Sequence, residues 1–213
     1  MSNRSKIMVL VVTGFAALAP TLHAQMLAPL TIDGDAGRGA VLAYTCIGCH
    51  GVDTAVNAYP TYHVPKLGGQ NGDYIEVALQ GYRAGTRDHM TMQAQAASLS
   101  DQDIADLAAH FSGLSHQPAT GISNADADEI QLGQEKSMTC QACHGTDGKS
   151  QSSQWPNLGG QHKSYLLEAL RQYQRADRTD AVMGPLVSQL DEETLEQLAS
   201  FYASQAGLHQ PGR

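Results

Sequence analysis

Apolar side chains recur at helical spacing along the chain. One stripe follows Ser100 at positions i, i+3, i+4 and i+7: Ile104, Leu107, Ala108 and Phe111. A shorter stripe lies upstream, at Ile75, Leu79 and Tyr82. Such spacing places the side chains on one face of a helix, and stripes of leucine and tyrosine are typical of a packed core. No segment shows the convincing alternation of a β-strand, so the pattern predicts an all-α fold.

The same pattern occurs twice. Both stripes recur 91 residues later, at Leu166, Leu170 and Tyr173 and at Leu195, Leu198, Ala199 and Tyr202. The segment Pro65-Lys66-Leu67-Gly68-Gly69-Gln70 recurs at the same offset, as Pro156-Asn157-Leu158-Gly159-Gly160-Gln161. Cys46-Ile47-Gly48-Cys49-His50 recurs at an offset of 94, as Cys140-Gln141-Ala142-Cys143-His144. The three-residue difference falls where a loop can absorb it, and the chain is therefore predicted to be a duplication.

The repeat predicts the domain boundaries. We expect one domain over residues 25–113 and a second over residues 126–213, joined by a linker at 114–125. Residues 112–125 contain Gly113, Pro118 and Gly121 and no charged side chain, which is typical of a linker.

The N-terminus has the pattern of a secretory signal peptide, residues 1–24. Arg4 and Lys6 precede an apolar stretch over residues 7–20, and Leu22-His23-Ala24 resembles a cleavage site. The alternative is an uncleaved membrane anchor, but the stretch is shorter than the ~20 residues that span a bilayer. Cleavage would remove two positive charges and change the net charge from −8 to −10.

Composition narrows the functional classes. The chain has 213 residues, of which 42% are hydrophobic and 16% charged, so it is neither a disordered polyelectrolyte nor a membrane bundle. A net charge of −8 argues against nucleic-acid binding. Only four residues are cysteine, too few for a disulfide scaffold. Aromatic residues are also scarce, at 6% of the chain.

The cysteines carry the chemistry. Cys-x-x-Cys-His is the attachment motif of c-type haem: cysteines at i and i+3 share one face of a helical turn and can reach both vinyl groups of a porphyrin. A thioredoxin-like pair would need a βαβ context, which is absent. A zinc site and ordinary disulfides remain possible by spacing, although the shared downstream residues of the two copies favour haem. We predict two covalent haems, held by Cys46 and Cys49 and by Cys140 and Cys143.

His50 and His144 follow the cysteines and are predicted to bind iron through one ring nitrogen. The other nitrogen of a metal-bound histidine usually donates to a carbonyl or carboxylate. Pro65 and Pro156 are the candidates to supply that carbonyl; the alternative is that each marks a simple turn.

Methionines are the candidates for the sixth ligand. Met183 is the only methionine after the second motif. In the first copy His89, Met90 and Met92 compete, but only Met92 shares with Met183 a position seven residues before a leucine. We predict Met92 and Met183 as ligands, with His63 and His89 as alternatives at the first haem. Two further residues repeat, Arg87 and Arg178, and they predict either surface charge or partners of a haem propionate.

These residues resemble the cytochrome c4 family, the dihaem branch of class I cytochromes c. The resemblance rests on both Cys-x-x-Cys-His motifs, both Pro-x-Leu-Gly-Gly-Gln segments and the paired methionines, and it covers nearly all of residues 25–213. It implies two tandem helical domains, each wrapped around one covalent haem, in a periplasmic carrier that often serves haem–copper oxidases. The chain departs from the family in residues 51–64, which form a longer loop and leave the exposure of the first haem edge in question.

The leading hypothesis is a dihaem electron carrier, because His/Met ligation closes both irons and raises their potentials. The alternative is an electron-accepting subunit of a dehydrogenase complex, for example a flavocytochrome. A dihaem peroxidase would need an open iron, which the paired methionines disfavour. The acidic charge predicts redox partners with a basic docking patch and, at most, peripheral association with membranes.

Overall fold

A computed structural model describes residues 32–118 and 127–212, which we call the first half and the second half. The predicted signal peptide, residues 1–24, lies outside the described residues, as does most of the predicted linker. Within the described ranges, no helix is both long and apolar enough to cross a membrane.

The first half consists of four helices and one small hairpin. The helices are α1 (Ala36–His50), α2 (Gly72–Ala84), α3 (Met90–Ala96) and α4 (Asp101–Ser112). Between α1 and α2, β1 (Val56–Asn57) pairs antiparallel with β2 (Tyr62–His63). The hairpin lies inside the loop at 51–64, where no strand was predicted.

The second half repeats this order without a hairpin. Its helices are α5 (Ala127–Lys136), α6 (Met138–His144), α7 (Lys163–Arg175), α8 (Met183–Val187) and α9 (Glu192–Ser204). Helix α1 of the first half corresponds to two helices here, α5 and α6. They are separated at Ser137, whose N–H donates to the carbonyl of Gln134, three residues earlier, in a tighter turn than that of an α-helix. The all-α prediction is confirmed, since the only β-strands in the described ranges are the two of the hairpin.

The last helix of each half begins at a side-chain cap. Ser100 caps α4: its hydroxyl accepts from the Asp103 amide, and the Asp103 side chain accepts from the Ser100 amide. In the second half, the Asp191 side chain accepts from the Thr194 amide and caps α9. These caps satisfy N–H groups that the first helical turn leaves free.

Each half is organised around a close crossing of its first and last helices. At Gly39 in α1, a Cβ atom would lie 2.0 Å from the backbone oxygen of Asp106 in α4. At Gly133 in α5, a Cβ atom would lie 2.0 Å from the backbone oxygen of Gln197 in α9. No other residue fits this contact, so the two glycines set the distance between the helices that enclose each site.

The predicted apolar stripes form two small cores. That of the first half comprises Ala43, Ile75, Leu107, Ala108 and Phe111, and that of the second comprises Leu166, Ala199, Phe201, Tyr202 and Ala203. Both cores contact the first cysteine of the attachment motif, Cys46 or Cys140. Each core therefore lies next to the predicted attachment point of a haem.

Candidate haem sites

The attachment motifs lie at the C-terminal ends of α1 and α6. All four cysteines are free thiols in the structure, so neither disulfide alternative is present. No group of three or more histidine, cysteine, aspartate or glutamate side chains in the described ranges is arranged to hold a metal ion, which removes support for a shared zinc site. Burial raises the pKa of the Cys46 thiol and that of Cys140, whereas Cys49 is exposed.

Both motif histidines contact a proline carbonyl. Nδ1 of His50 lies 2.7 Å from the Pro65 oxygen, and Nδ1 of His144 lies 3.0 Å from the Pro156 oxygen. Both rings are buried, and burial lowers the pKa of each, against the opposing effect of the carbonyl. A neutral ring that donates from Nδ1 keeps the lone pair of Nε2 for a metal. The contact therefore holds each histidine in the tautomer that an axial ligand requires.

The candidates for the sixth ligand of the first site differ in their surroundings. Met92, in the first turn of α3, is partly buried, whereas Met90 is 84% exposed. The His89 ring is already engaged, because Nδ1 accepts from the Met92 amide at 3.2 Å and Nε2 lies 3.2 Å from Oδ1 of Asn57.

His63 is also engaged elsewhere. Its Nδ1 lies 2.8 Å from the Ser164 hydroxyl, and its ring stacks on His162 of the second half at 4.7 Å. In the second site, Met183 is partly buried at the first residue of α8, and its amide donates to Oδ1 of Asp180 at 2.8 Å. The surroundings thus favour Met92 over its histidine competitors.

Two arginines meet tyrosines where the halves adjoin. Arg87 donates to the Tyr165 hydroxyl at 3.0 Å, and Arg178 donates to the Tyr74 hydroxyl at 2.7 Å. Each guanidinium also lies over a tyrosine ring of its own half, a favourable cation–π arrangement. The two residues form an isolated antiparallel bridge. Both side chains are half-buried, and each bonds a tyrosine of the opposite half, so neither is a simple surface charge.

This arginine–tyrosine cluster has an excess of positive charge. No salt bridge joins Arg87 or Arg178 to a carboxylate in the described residues. Burial alone would raise the pKa of Tyr74, but Arg178 and Arg87 outweigh it and lower that pKa to about 7. Paired carboxylates are the usual counter-ions of enclosed arginines. Haem supplies two propionate carboxylates, so the residues present fit this group.

The Pro-x-Leu-Gly-Gly-Gln segments also form the centre of the contact between the halves. The side-chain amide of Gln70 bonds both the N–H and the C=O of Asn157, at 2.8 and 3.0 Å. The amide of Gln161 bonds both the N–H and the C=O of Lys66, at 2.9 and 3.0 Å. The two glutamines were not among the predicted site residues, although both follow a proline at the same distance in the repeat.

Further backbone pairs join the halves beside these segments. Gly68 and His209 exchange N–H···O bonds of 2.9 and 3.1 Å, and Gln117 and Gly207 exchange two of 2.9 Å. Near the C-terminus, Gln210 donates to the Val52 carbonyl at 3.0 Å. The loops that hold the motif histidines are thus part of one continuous interface.

Comparison with known proteins identifies the family. A family model described as Cytochrome c matches residues 35–115 and again residues 130–205. The chain belongs to the cytochrome c family. Cytochrome c4 of Pseudomonas aeruginosa is 30% identical over 190 residues, which cover 83% of this chain and 90% of that protein. The crystal structure of reduced recombinant cytochrome c4 from Pseudomonas stutzeri superposes with a TM-score of 0.68 at 30% identity, covering 83% of this chain and all of that one.

A third relative is named for a different role. The thiosulfate dehydrogenase electron acceptor of Stutzerimonas stutzeri is 28% identical and covers 90% of this chain and 92% of its own length. The predicted cytochrome c4 resemblance and the prediction of two cytochrome c domains are confirmed. The chain is therefore an electron carrier with two covalently bound haem c groups, not an enzyme.

Proposed function

We propose that this cytochrome is an exported, periplasmic carrier whose two domains, 25–113 and 126–213, each hold one haem. Cys46 and Cys49 tether the first haem and Cys140 and Cys143 the second. His50 with Met92 would hold the first iron, and His144 with Met183 would hold the second. Cleavage after residue 24 is part of the proposal, and N-terminal sequencing of the periplasmic protein tests it.

The observation that carries the proposal is the repeated histidine–proline contact, at 2.7 Å in one half and 3.0 Å in the other. When bound, each haem supplies an iron that exchanges one electron between its ferric and ferrous states. The chain fixes the imidazole orientation through the proline carbonyl, and Met92 and Met183 would complete the ligation of the two irons and close them to exogenous ligands. Closed sites in both halves suit a carrier and leave no position for substrate.

A spectrum of the purified holoprotein tests this ligation. We expect a ferric methionine–iron charge-transfer band from both haems and no binding of carbon monoxide under native conditions. Loss of half of that band in Met92→Ala and of the other half in Met183→Ala would support the assignment. Ready binding of carbon monoxide by one haem of the wild type would contradict it.

For the physiological role, we propose electron transfer within a respiratory chain towards a terminal oxidase. The support is the closed His/Met ligation, which gives the higher potentials of late carriers, together with the acidic charge. Oxidation of the reduced protein by a haem–copper oxidase with a basic docking face should slow as salt rises, because salt screens the attraction. An oxidation rate that does not respond to salt would contradict a docking role for the charge.

The second candidate role is the electron-accepting subunit of a dehydrogenase complex. It is favoured by the relative named as a thiosulfate dehydrogenase electron acceptor, whose match covers 90% of this chain. Affinity purification of the tagged protein from its native periplasm separates the two roles. Stoichiometric recovery of a dehydrogenase, with reduction of both haems on addition of that enzyme's substrate, would favour the subunit; recovery of the cytochrome alone, oxidised rapidly by membranes, would favour the carrier.

A further inference from the structure

Two glutamines each reach from one half into the histidine-holding loop of the other. Oε1 of Gln161 accepts from the Lys66 amide at 2.9 Å, while its Nε2 donates to the Lys66 carbonyl at 3.0 Å. Oε1 of Gln70 accepts from the Asn157 amide at 2.8 Å, while its Nε2 donates to the Asn157 carbonyl at 3.0 Å. We call these four bonds the crossed amide clamp.

The clamp acts on particular peptide units. The Lys66 amide belongs to the same peptide as the Pro65 carbonyl, which lies 2.7 Å from Nδ1 of His50. The Asn157 amide belongs to the same peptide as the Pro156 carbonyl, which lies 3.0 Å from Nδ1 of His144. One side of each peptide therefore holds the histidine of its own half, and the other side holds the glutamine of the opposite half.

Hydrogen bonds at the two ends of one peptide reinforce each other, because a peptide whose N–H is donated has a more negative carbonyl oxygen. A better carbonyl acceptor makes the histidine a more basic ligand, and hydrogen bonding around a haem is one determinant of its potential. We propose that Gln161 tunes the axial histidine of the first haem and that Gln70 tunes the axial histidine of the second, each across the interface.

The burial of the clamp supports a positioning role. Gln70 and Gln161 are only 5% and 4% exposed, so their amides cannot exchange these partners freely for water. Each Oε1 also accepts from the next residue of its own chain segment, Asn71 at 2.8 Å or His162 at 3.0 Å. With three bonds each, the side chains are held rigidly against the opposite loop.

The test uses Gln161→Met and Gln70→Met in the holoprotein, because methionine keeps the length of the side chain and removes all three of its hydrogen bonds. We expect Gln161→Met to raise the potential of the first haem more than that of the second, since a weaker carbonyl acceptor stabilises the ferric iron less. Gln70→Met should show the reverse order. An NMR-monitored redox titration follows the two haems separately, and the Nδ1 proton of His50 or His144 should move upfield in the half opposite the substitution.

Further variants separate tuning from a loosened interface. Gln161→Glu keeps an oxygen for the Lys66 amide and should prevent the rise in potential. Ser153→Ala removes an interface bond to Asp73 that touches neither proline peptide, and it should leave both potentials unchanged. A shift confined to the haem of the substituted half, equal shifts of both haems, or unchanged potentials despite faster exchange of the Lys66 amide proton would each overturn the proposal.

The inference rests on the proposed ligation by His50 and His144, and the two can fail separately. If the wild type lacks the methionine–iron band, the proposed ligation fails. If both variants keep that band and the crossed order of the shifts is absent, only the inference about the glutamines fails.

Discussion

The two halves agree where they hold the haem and differ where they surround it. Both have the histidine–proline contact, the glycine at the helix crossing and the reciprocal glutamine. The first half alone has a hairpin after its motif, a buried carboxylate at Asp106 where the second has Gln197, and Lys66 where the second has Asn157. We infer that the shared residues define a haem-binding frame and that the differing ones give the two irons distinct environments.

The loop after the motif shows the difference most clearly. In the first half, the hairpin packs on the second half, through the His63–His162 stack and through Tyr62, whose ring lies 6.3 Å from that of Tyr165. The corresponding loop of the second half is short and turns at Gly145 and Gly148, both at positive φ, which glycine adopts readily. The hairpin therefore contacts the second half through Tyr62 and His63, whereas Tyr59 at its tip is 97% exposed.

Exchange of the sixth ligand should change the difference between the two haem potentials most strongly. Met183→His should lower the potential of the second haem alone, by a substantial part of the roughly 0.8 V range that axial ligands span. Met92→His should do the same to the first haem alone. Redox titration followed in the visible spectrum measures both. If either variant lowered both potentials or neither, the ligand assignment or the independence of the halves would be wrong.

The helix crossings should respond alike in both halves. Gly39→Ala and Gly133→Ala each place a methyl group on a backbone oxygen, so the helices must separate, at a cost of about 3 kcal/mol, the upper end of the range for overpacking. Thermal and guanidinium unfolding of the holoprotein measures the loss. Gly81→Ala is the control, because its Cβ would meet other atoms only at 3.5 Å. Markedly unequal losses at Gly39 and Gly133 would contradict the equivalence of the crossings.

Acid should affect the two helix crossings differently, because in the described residues only the first crossing contains a buried carboxylate. The Asp35 amide and then the Gln102 side chain lower the pKa of Asp106, with help from Arg38 and against burial. A lowered folded pKa adds stability above the ordinary value of about 3.9, and that stability is lost as the pH falls through the folded pKa. Asp106→Asn should therefore destabilise the protein at neutral pH, and its unfolding curve should converge on that of the wild type in acid.

Circular dichroism across an acid titration measures that convergence. The matched control is Gln197→Ala in the second half, which removes no charge and should lower stability by the same amount at every pH. A constant gap between wild type and Asp106→Asn down to the acid transition would show that the carboxylate adds no pH-dependent stability.

The elements that sequence predicted well are those with a repeated, local signal. The stripe from Ile104 to Phe111 and the cap at Ser100 identify α4. Its core face and its first turn are both formed by residues that lie close together in the sequence. The hairpin escaped prediction because strands of two residues are too short to show alternation. The role of Gln161 was not predicted either. The sequence alone does not distinguish a glutamine that bonds a loop of the opposite half from an exposed glutamine. Lysine is rarely buried, so the enclosure of Lys66 had no signal at all.

The smallest expected effect is at Lys66, where the two proline loops differ in charge. Lys66 is buried, and its Nζ donates to the Gly160 carbonyl at 2.6 Å; its counterpart, the neutral Asn157, donates from Nδ2 to the Gly69 carbonyl at 2.9 Å. The same bond is thus made by a cation on one side only. A positive charge beside the Pro65 loop favours the ferrous state, so Lys66→Asn should lower the potential of the first haem.

At an effective dielectric constant of 20, a single charge roughly 15 Å from the iron shifts that potential by about 1 kcal/mol, or roughly 50 mV for one electron. The matched variant Asn157→Lys should raise the potential of the second haem by a similar amount, as measured by NMR-monitored titration. Because Lys66→Asn keeps the backbone amide that bonds Gln161, its shift is downward, opposite in sign to that expected for Gln161→Met. Shifts of the same sign from Lys66→Asn and Asn157→Lys would show that the lysine acts through packing and not through its charge.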